Sequence, residues 1–217
     1  MARVFVITGP SGVGKGTLIR SLRERMPELD LSISATTRAP RAGEEHGKNY
    51  YYVSESAFTA MVHRGEFLEH AHVHRHHYGT SRQEVVDRLN AGLDVILDID
   101  YQGARQIDSD RDLKQRSLNV FIFPPTLEVL EQRLRDRGLN TDEEIETRLQ
   151  KAIDEIDAGK DFYDYVIIND DLDEAIECLK AAIIARKLKT KTALDAIAAM
   201  AERFKEEQRN GRIARGR

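Results

Sequence analysis

The chain has 217 residues, enough for one α/β domain with a smaller inserted lobe, and 41% of them are hydrophobic, so a substantial core can form. A formal net charge of only -4 argues against a protein that binds nucleic acid over its whole surface, and a single cysteine excludes an intrachain disulfide. The longest apolar runs fall short of the ~20 residues that a membrane-spanning helix needs, and the N-terminus lacks a signal-peptide pattern, so we expect a cytoplasmic protein without nucleic-acid or membrane partners.

Apolar segments alternate with amphipathic segments along most of the chain, which is typical of βαβ units around a parallel sheet. The clearest strands are predicted at Val4–Thr8, 93–99, 118–123 and Tyr165–Ile168. Their continuous apolar character predicts burial on both faces. A further strand is predicted at 31–34.

Amphipathic segments between these strands predict the helices. They run from the glycine-rich loop to Arg25, and over 81–91, 126–137 and 172–187. Ser81 and Thr141 each precede a glutamate by three residues, which is the capping-box pattern at the start of a helix. The helix that begins at Thr141 has an apolar stripe of Ile145, Leu149, Ile153 and Ile156.

Residues 35–80 interrupt this pattern. They are rich in Arg, Gly, Tyr and His and do not alternate strand with helix, so they predict an inserted, mostly antiparallel lobe. The core domain then comprises 1–34 and 81–187, with a mobile lid at about 126–150. The remaining residues, 188–217, form a helical tail whose stripe of Leu194, Ile197, Ala201 and Phe204 either docks on the protein's own core or forms a homo-oligomer contact.

The sequence Gly9-Pro-Ser-Gly-Val-Gly-Lys-Gly-Thr17 follows the first strand and begins a helix. Glycines let the backbone curl so that its N–H groups converge on an anion, and the start of a helix adds the positive end of its dipole. Lys15 supplies a full charge for the β- and γ-phosphates of a nucleoside triphosphate. The predicted ATP-binding residues of this loop are Gly9, Pro10, Ser11, Gly12, Val13, Gly14, Lys15, Gly16 and Thr17.

This loop departs from the common phosphate-loop pattern at one position. The pattern has a Ser or Thr directly after the lysine to bind Mg²⁺, but here that residue is Gly16 and the hydroxyl follows at Thr17. The Gly-Thr ending resembles the loops of nucleoside monophosphate kinases. The resemblance implies that Mg²⁺ is held by the nucleotide phosphates and water, and that Thr17 contacts a phosphate.

A second set of motifs identifies the family. In chain order they are Ser34-Ala-Thr-Thr-Arg-Ala-Pro-Arg-Ala-Gly-Glu44, Gly47-Lys-Asn-Tyr50, Glu66-Phe-Leu-Glu69, Tyr78-Gly-Thr80 and Asp98-Ile-Asp-Tyr-Gln-Gly103. This set resembles the guanylate kinase family over residues 3–186. The resemblance implies a parallel-sheet P-loop kinase core with helices on both faces, a mixed GMP-binding lobe and a mobile lid. The implied activity transfers the γ-phosphoryl group of ATP to GMP, and also to dGMP, in purine nucleotide metabolism.

The resemblance also assigns the acceptor site. Glu69 matches the carboxylate that accepts from guanine N1–H and N2–H, while the hydroxyls of Ser34 and Thr80 match the donors to O6. Arg38 and Arg41 match the arginine pair of the acceptor phosphate, where a forked guanidinium suits a bidentate grip. The complete set of GMP-binding residues implied in this way is Ser34, Arg38, Arg41, Tyr50, Glu69, Tyr78, Gly79, Thr80 and Asp100.

Phosphoryl transfer depends on positioning and on charge neutralisation. Lys15 serves the donor side and Arg38 the acceptor side. Asp98 ends an apolar strand two residues before Asp100, so the two side chains share a face of that strand. Because this is the carboxyl end of the strand, where open sheets bind ligands, we expect Asp98 to orient a water of the Mg²⁺ shell. The resemblance places Asn169 on the adenine side and adds the lid arginines Arg133, Arg137 and Arg148.

Four alternatives remain open at this stage. Arg133 and Arg137 are also consistent with a surface stripe that pairs with acidic residues. The whole chain is also consistent with a guanylate-kinase-like binding module, or with a kinase for another acceptor. His70, His72, His74 and His76 would share a face on one strand, which indicates either a metal or pH-sensitive patch or simple substitution on a polar strand.

Overall fold

The computed structural model describes residues 2–73, 75–136, 138, 141–159 and 162–209, without the side chains of 159, 190–197 and 208. In the described chain the elements are, in order, β1 (Val4–Thr8), α1 (Lys15–Arg25), β2 (Leu29–Leu31), β3 (Ala35–Thr36), β4 (Tyr51–Tyr52), α2 (Glu55–His63), β5 (Phe67–Val73), β6 (His76–Ser81), α3 (Arg82–Asn90), β7 (Asp94–Asp98), α4 (Tyr101–Ser109), α5 (Arg111–Arg116), β8 (Ser117–Phe123), α6 (Leu127–Asp136), α7 (Asp142–Gly159), β9 (Tyr165–Ile168), α8 (Leu172–Leu188) and α9 (Thr190–Arg209). Within this described part, no helix is both long enough and apolar enough to cross a membrane.

The core sheet is five-stranded and parallel, in the order β2-β7-β1-β8-β9. All five residues of β1 are buried, and its side chains alternate between two apolar clusters. Phe5 and Ile7 pack with residues of α1 and α8, whereas Val4 and Val6 pack with residues of α3 and α4. The predicted parallel core with helices on both faces is therefore confirmed.

Two strand predictions were wrong in detail. The strand predicted at 31–34 ends at Leu31, because the N–H of Ile33 and the hydroxyl of Ser32 donate to Glu84 Oε1 instead of to a neighbouring strand. Strand β9 is not buried on both faces: Val166 is 59% and Ile168 60% exposed. It forms the edge of the sheet and has only β8 as a neighbour, so an apolar run here does not mean full burial.

The inserted lobe contains a four-stranded mixed sheet in the order β4-β3-β6-β5, in which β3 pairs parallel with β4 and antiparallel with β6. The lobe also contains a helix, α2, which the sequence analysis did not assign. Ser54 caps α2 by accepting from the N–H of Ala57, and Phe58 of this helix stacks on Phe67 with ring centroids 4.5 Å apart. The lobe thus has a small core of its own.

The histidine run does not lie on one strand. Strand β5 ends at Val73, and the chain returns in β6 from His76, which pairs with Val73. His70 and His72 lie on β5 whereas His76 lies on β6, so the shared face that a single strand would give does not form among these three; His74 lies outside the described residues. His72 and His77 face each other across the two strands, with ring centroids 4.8 Å apart.

The tail forms α9 as predicted, but the described part of its apolar stripe is not docked. Ala201 and Phe204 are exposed, Phe204 by 50%. Side chains 194 and 197 lie outside the described residues. The interpretation of this stripe as a docking face for the protein's own core was therefore wrong for its two described members.

Candidate active site

A cleft of about 540 Å³ opens at the carboxyl ends of β1 and β7, between the core sheet and the inserted lobe. Open parallel sheets place ligands at this edge. Most of the predicted site residues line this cleft: Gly9, Pro10, Ser11, Gly12, Gly14, Lys15, Gly16, Ser34, Arg41, Tyr50, Glu69, Tyr78, Asp98, Asp100 and Arg148. Helix α7 forms the third wall.

The glycine loop between β1 and α1 has a backbone that other residues could not adopt. Gly9 and Gly14 have φ of 145° and 100°, and a Cβ on Gly9 would lie 2.4 Å from the carbonyl oxygen of Ile122. Gly14 caps α1 without a side-chain hydrogen bond, and the first turn contains no acidic residue. The positive end of this helix and its amino-terminal N–H groups therefore face the cleft, which suits an anion.

Lys15 and Asp98 bring opposite charges to the floor of the cleft. Lys15 Nζ donates to the carbonyl oxygen of Gly9 at 2.6 Å. Asp98 is surrounded by protein on most sides, although water reaches its carboxylate through the cleft opening; this burial raises the pKa of Asp98, and the charge of Lys15 opposes the rise. Lys15 and Asp98, two of the predicted site residues, therefore line the same cleft.

Arg133 and Asn169 meet behind the glycine loop. The carbonyl oxygen of Val13 accepts from Asn169 Nδ2 at 2.7 Å and from Arg133 Nη1 at 3.2 Å. Arg133 Nη2 also donates to the carbonyl oxygen of Asn169 at 3.0 Å. These two residues brace the loop from outside the cleft, whereas Arg148 Nη1 reaches Ser11 Oγ at 2.6 Å from the cleft side. Arg137 lies outside the described residues.

Glu69 lies in the lobe wall of the cleft and is only 4% exposed. Its Oε1 accepts from the hydroxyl of Thr80 at 2.5 Å, and the Thr80 hydroxyl lies 3.4 Å from that of Ser34. Burial raises the pKa of Glu69 to about 7. Ser34, Thr80 and Glu69 thus form a short polar chain in an otherwise buried wall, where unpaired polar groups are costly.

Asp100 begins helix α4 as its N-cap. Its Oδ1 accepts from the N–H of Gly103 at 2.9 Å, and its Oδ2 accepts from Gln102 Nε2 at 3.2 Å. Burial raises the pKa of Asp100, and the hydrogen bond from Gly103 opposes the rise. The first turn of α4 therefore sets the direction of this carboxylate.

Glu44 organises the predicted arginine pair and was not assigned a role from the sequence. Its Oε1 accepts from Arg38 Nη2 at 2.9 Å, and its Oε2 accepts from the N–H of Arg41 at 2.8 Å and the hydroxyl of Tyr52 at 2.9 Å. The hydrogen bond from Arg38 lowers the pKa of Glu44 to about 2. The Arg38 guanidinium also lies 5.3 Å from the ring centroid of Tyr50.

The two predicted tyrosines lie side by side in the same wall. The rings of Tyr50 and Tyr78 meet edge to face with centroids 5.8 Å apart. Burial and the charge of Asp98 raise the pKa of Tyr50 to about 12, so its phenol stays a donor at neutral pH. Gly79 does not line the cleft; a Cβ there would lie 2.8 Å from the ring of Phe67.

Other residues of the cleft were also missed. Glu155 of α7 is half-buried and lines the cleft, and burial raises its pKa. Glu155 follows Arg148 by seven residues, which places both on one face of the helix. This spacing is the feature of the sequence that could have identified Glu155 as a cleft residue. Gly103 is buried against Glu69. Thr17, by contrast, is exposed on α1 and does not line the cleft.

A buried parallel strand, a glycine loop with a lysine, and a helix start at the carboxyl edge of the sheet together define a P-loop protein that binds a nucleoside triphosphate. The sequence profile described as guanylate kinase matches residues 1–186. The chain belongs to the guanylate kinase family.

Individual relatives agree with this assignment. The chain is 47% identical to a guanylate kinase of Trichormus variabilis, over 83% of this chain and 89% of that protein. It is 49% identical to one of Thermosynechococcus vestitus, over 84% and 94%. The fold matches the crystal structure of guanylate kinase from Anaplasma phagocytophilum with a TM-score of 0.69 and 32% identity, over 87% and 88% of the two chains.

Proposed function

We propose that this protein transfers the γ-phosphoryl group of ATP to GMP, and to dGMP, giving ADP and the nucleoside diphosphate. One observation carries the choice of acceptor: a buried carboxylate, Glu69, and the hydroxyl residue Ser34 line the same cleft as the phosphate loop, and the buried hydroxyl of Thr80 links the two. The relatives named guanylate kinase support the same activity. Since both substrates are nucleotides of the cytoplasm, we expect the enzyme to act there.

Guanine is recognised through its Watson–Crick edge. An ionised Glu69 accepts from N1–H and N2–H at once, and the hydroxyl of Ser34 donates to O6. The hydroxyl of Thr80 has a single proton, which goes to Glu69 in the free protein, so Thr80 donates to O6 only if that hydroxyl turns when the base binds. Asp100 offers a further acceptor for the amino group. Adenine presents the opposite pattern and would leave these buried groups unpaired, which is the strongest form of discrimination available to a binding site.

The acceptor phosphate is held by the lobe. Arg38 and Arg41 form a cationic pair, and Glu44 holds the guanidinium of Arg38 and the backbone of Arg41 in place. The phenols of Tyr50 and Tyr78 add donors. Fixing the donors before the substrate arrives lowers the ordering cost of binding.

The donor phosphates lie on the glycine loop. Lys15 and the start of α1 neutralise the β- and γ-phosphates, with Thr17 on a phosphate and Asn169 on the adenine side. Arg133, Arg137 and Arg148 belong to a lid, at about 126–150, that closes on the transferring group and excludes water. The proposed domains of the chain are a core at 1–34 and 81–187, which contains this lid, a GMP-binding lobe at 35–80 and a tail at 188–217.

The residues present fit an enzyme that uses Mg²⁺ with ATP. Among the described residues, no three acidic, histidine or cysteine side chains are grouped as a protein-only metal site. Mg²⁺ typically keeps several waters and binds through one or two carboxylates and substrate phosphates. The cleft offers Asp98 for this purpose, beside Lys15. When bound, Mg²⁺ neutralises phosphate charge; Asp98 would orient a water of its shell.

The tail helix is proposed as a homo-oligomer contact. Met200 is 53% and Phe204 50% exposed on α9. Apolar side chains on an exposed helix face are typical of surfaces that a second copy covers.

A panel of acceptors tests the function directly. We expect ATP-dependent ADP release with GMP and dGMP, and little or none with AMP, UMP or CMP, measured in a coupled assay. Glu69→Ala should reduce this selectivity while leaving the KM for ATP nearly unchanged, whereas the control Lys15→Ala should lower turnover with every acceptor. Saturable GMP binding without turnover in the wild type would instead indicate a binding module.

A further inference from the structure

The first turn of α4 packs a glycine directly against Glu69. A Cβ built on Gly103 would lie 2.2 Å from Glu69 Oε2 and 2.9 Å from its Cδ, both far inside van der Waals contact. Gly103 is buried and is not among the glycines with positive φ in the described chain. Its backbone is thus one that alanine adopts readily, and alanine would be the better helix former. A glycine suits this position because it leaves space for the Glu69 carboxylate, and not because of its conformational freedom.

Helix α4 cannot move back to make room for a side chain. The side chain of Gln106, one turn after Gly103, accepts from the N–H of His70 at 3.1 Å and donates to the carbonyl oxygen of His70 at 2.7 Å. These two hydrogen bonds fasten the helix to β5 at the residue next to Glu69. The part that can yield is the end of the Glu69 side chain, whose Oε1 is held by Thr80.

The geometry points to Gly103 as a specificity-determining residue: its lack of a side chain holds the Glu69 carboxylate in the orientation that reads guanine. The same residue donates its N–H to Asp100 Oδ1 at 2.9 Å. Gly103 therefore positions both acidic groups of the base site, one by leaving space and one by a hydrogen bond. This role rests on the proposed recognition of GMP by Glu69.

The variant Gly103→Ala separates the two contributions, because alanine keeps the N–H that caps Asp100 and adds only the Cβ. We expect the KM for GMP to rise about 10-fold to 100-fold, the loss expected when a charged group no longer makes its hydrogen bonds. The KM for ATP should stay within about twofold, because the donor site is not touched. Direct titration with GMP in the absence of ATP should show the same loss of affinity.

A second background keeps the proposal testable if the single variant is unstable. The variant Glu69→Ala lacks the side chain with which a Cβ at residue 103 would clash. Adding Gly103→Ala to it should therefore change neither GMP affinity nor acceptor selectivity further. The melting temperature of the double variant should equal or exceed that of Glu69→Ala, since alanine favours the helix. An unchanged KM for GMP in Gly103→Ala would overturn the assigned role, as would an equal loss of stability in both backgrounds. A wild type that does not use GMP would instead contradict the proposed function itself.

Discussion

The carboxyl group of Glu69 is subject to opposing influences. Only 4% of the residue is exposed, and burial raises its pKa to about 7, although the hydrogen bond from Thr80 opposes the rise. A buried carboxylate loses hydration, which disfavours its charged form. Under the proposed function, the charged form is nevertheless the one that accepts from both guanine donors. Recognition of GMP and stability of the free protein therefore place different demands on this one group.

We expect kcat/KM for GMP to rise with pH and to level off above about 7, where Glu69 is ionised. The stability of the free protein should follow the opposite trend. A carboxyl whose folded pKa is raised stabilises the fold most below its unfolded pKa of 4.5 and loses that contribution as the pH rises through about 7.

Activity profiles and urea unfolding across this pH range check both trends. Glu69→Gln is the control, because it removes the titrating group and nearly preserves the shape of the side chain. The same acid limb in this variant would assign the limb to another group of the site.

Helix α7 joins local capping to the cleft. Thr141 Oγ1 accepts from the N–H of Glu144 at 3.3 Å, and Glu144 Oε2 accepts from the N–H of Thr141 at 3.2 Å, so the predicted capping box is complete. Seven residues apart, Arg148 and Glu155 then face the cleft from this helix. A secure start of the helix therefore helps to place two cleft residues.

Thr141→Ala should destabilise the protein by about 1 kcal/mol, because it removes the hydroxyl that caps the helix. For a chain of this size the melting temperature should fall by roughly 2–4 °C. Thr147→Ala in the same helix is the matched control. The Thr147 hydroxyl is exposed and donates to the carbonyl oxygen of Glu143 within the helix, so its loss should stay within about 0.5 kcal/mol. Equal losses of stability in Thr141→Ala and Thr147→Ala, measured by thermal unfolding, would show that the Thr141 cap stabilises the protein no more than the Thr147 hydroxyl does.

At the scale of the whole fold, the described residues form three apolar clusters. Two lie on opposite faces of the core sheet, and the third, with Phe58 and Phe67, lies in the lobe. The cleft lies where the core and the lobe meet, so its walls come from both parts of the fold. Under the proposed function, a donor nucleotide on the core and an acceptor nucleotide held mainly by the lobe would meet there end to end.

Removal of residues 190–217 should leave the catalytic unit intact. Every described side chain from 198 to 206 is exposed, and the last buried residue of α8 is Ile183. We expect kcat and both KM values to stay within about twofold, since no described tail side chain lines the cleft. Light scattering of the full and shortened chains then shows whether the tail holds copies together. A marked loss of activity would mean that the tail supports the site.

The features that could be predicted from the sequence are local ones. The glycine loop, the helix that follows it and the Thr141 capping box depend on residues close together in the chain, whose backbone hydrogen bonds form within a few residues. The strands that surround β1 could be predicted because both of their faces are buried, which requires continuous apolar runs. The acceptor residues followed from motifs, and most of them do line one cleft.

Tertiary packing alone decided the remainder. Strand β9 is exposed because it lies at the edge of the sheet. Its apolar sequence records hydrophobicity and does not show how many strands lie beside it. Several site contacts join side chains and backbone across loops and between separate elements. They are the contacts of Glu44 with Arg38, of Arg133 with Val13 and of Gly103 with Glu69. Contacts of this kind depend on how the elements pack in three dimensions, and neither propensity nor periodicity carries that information.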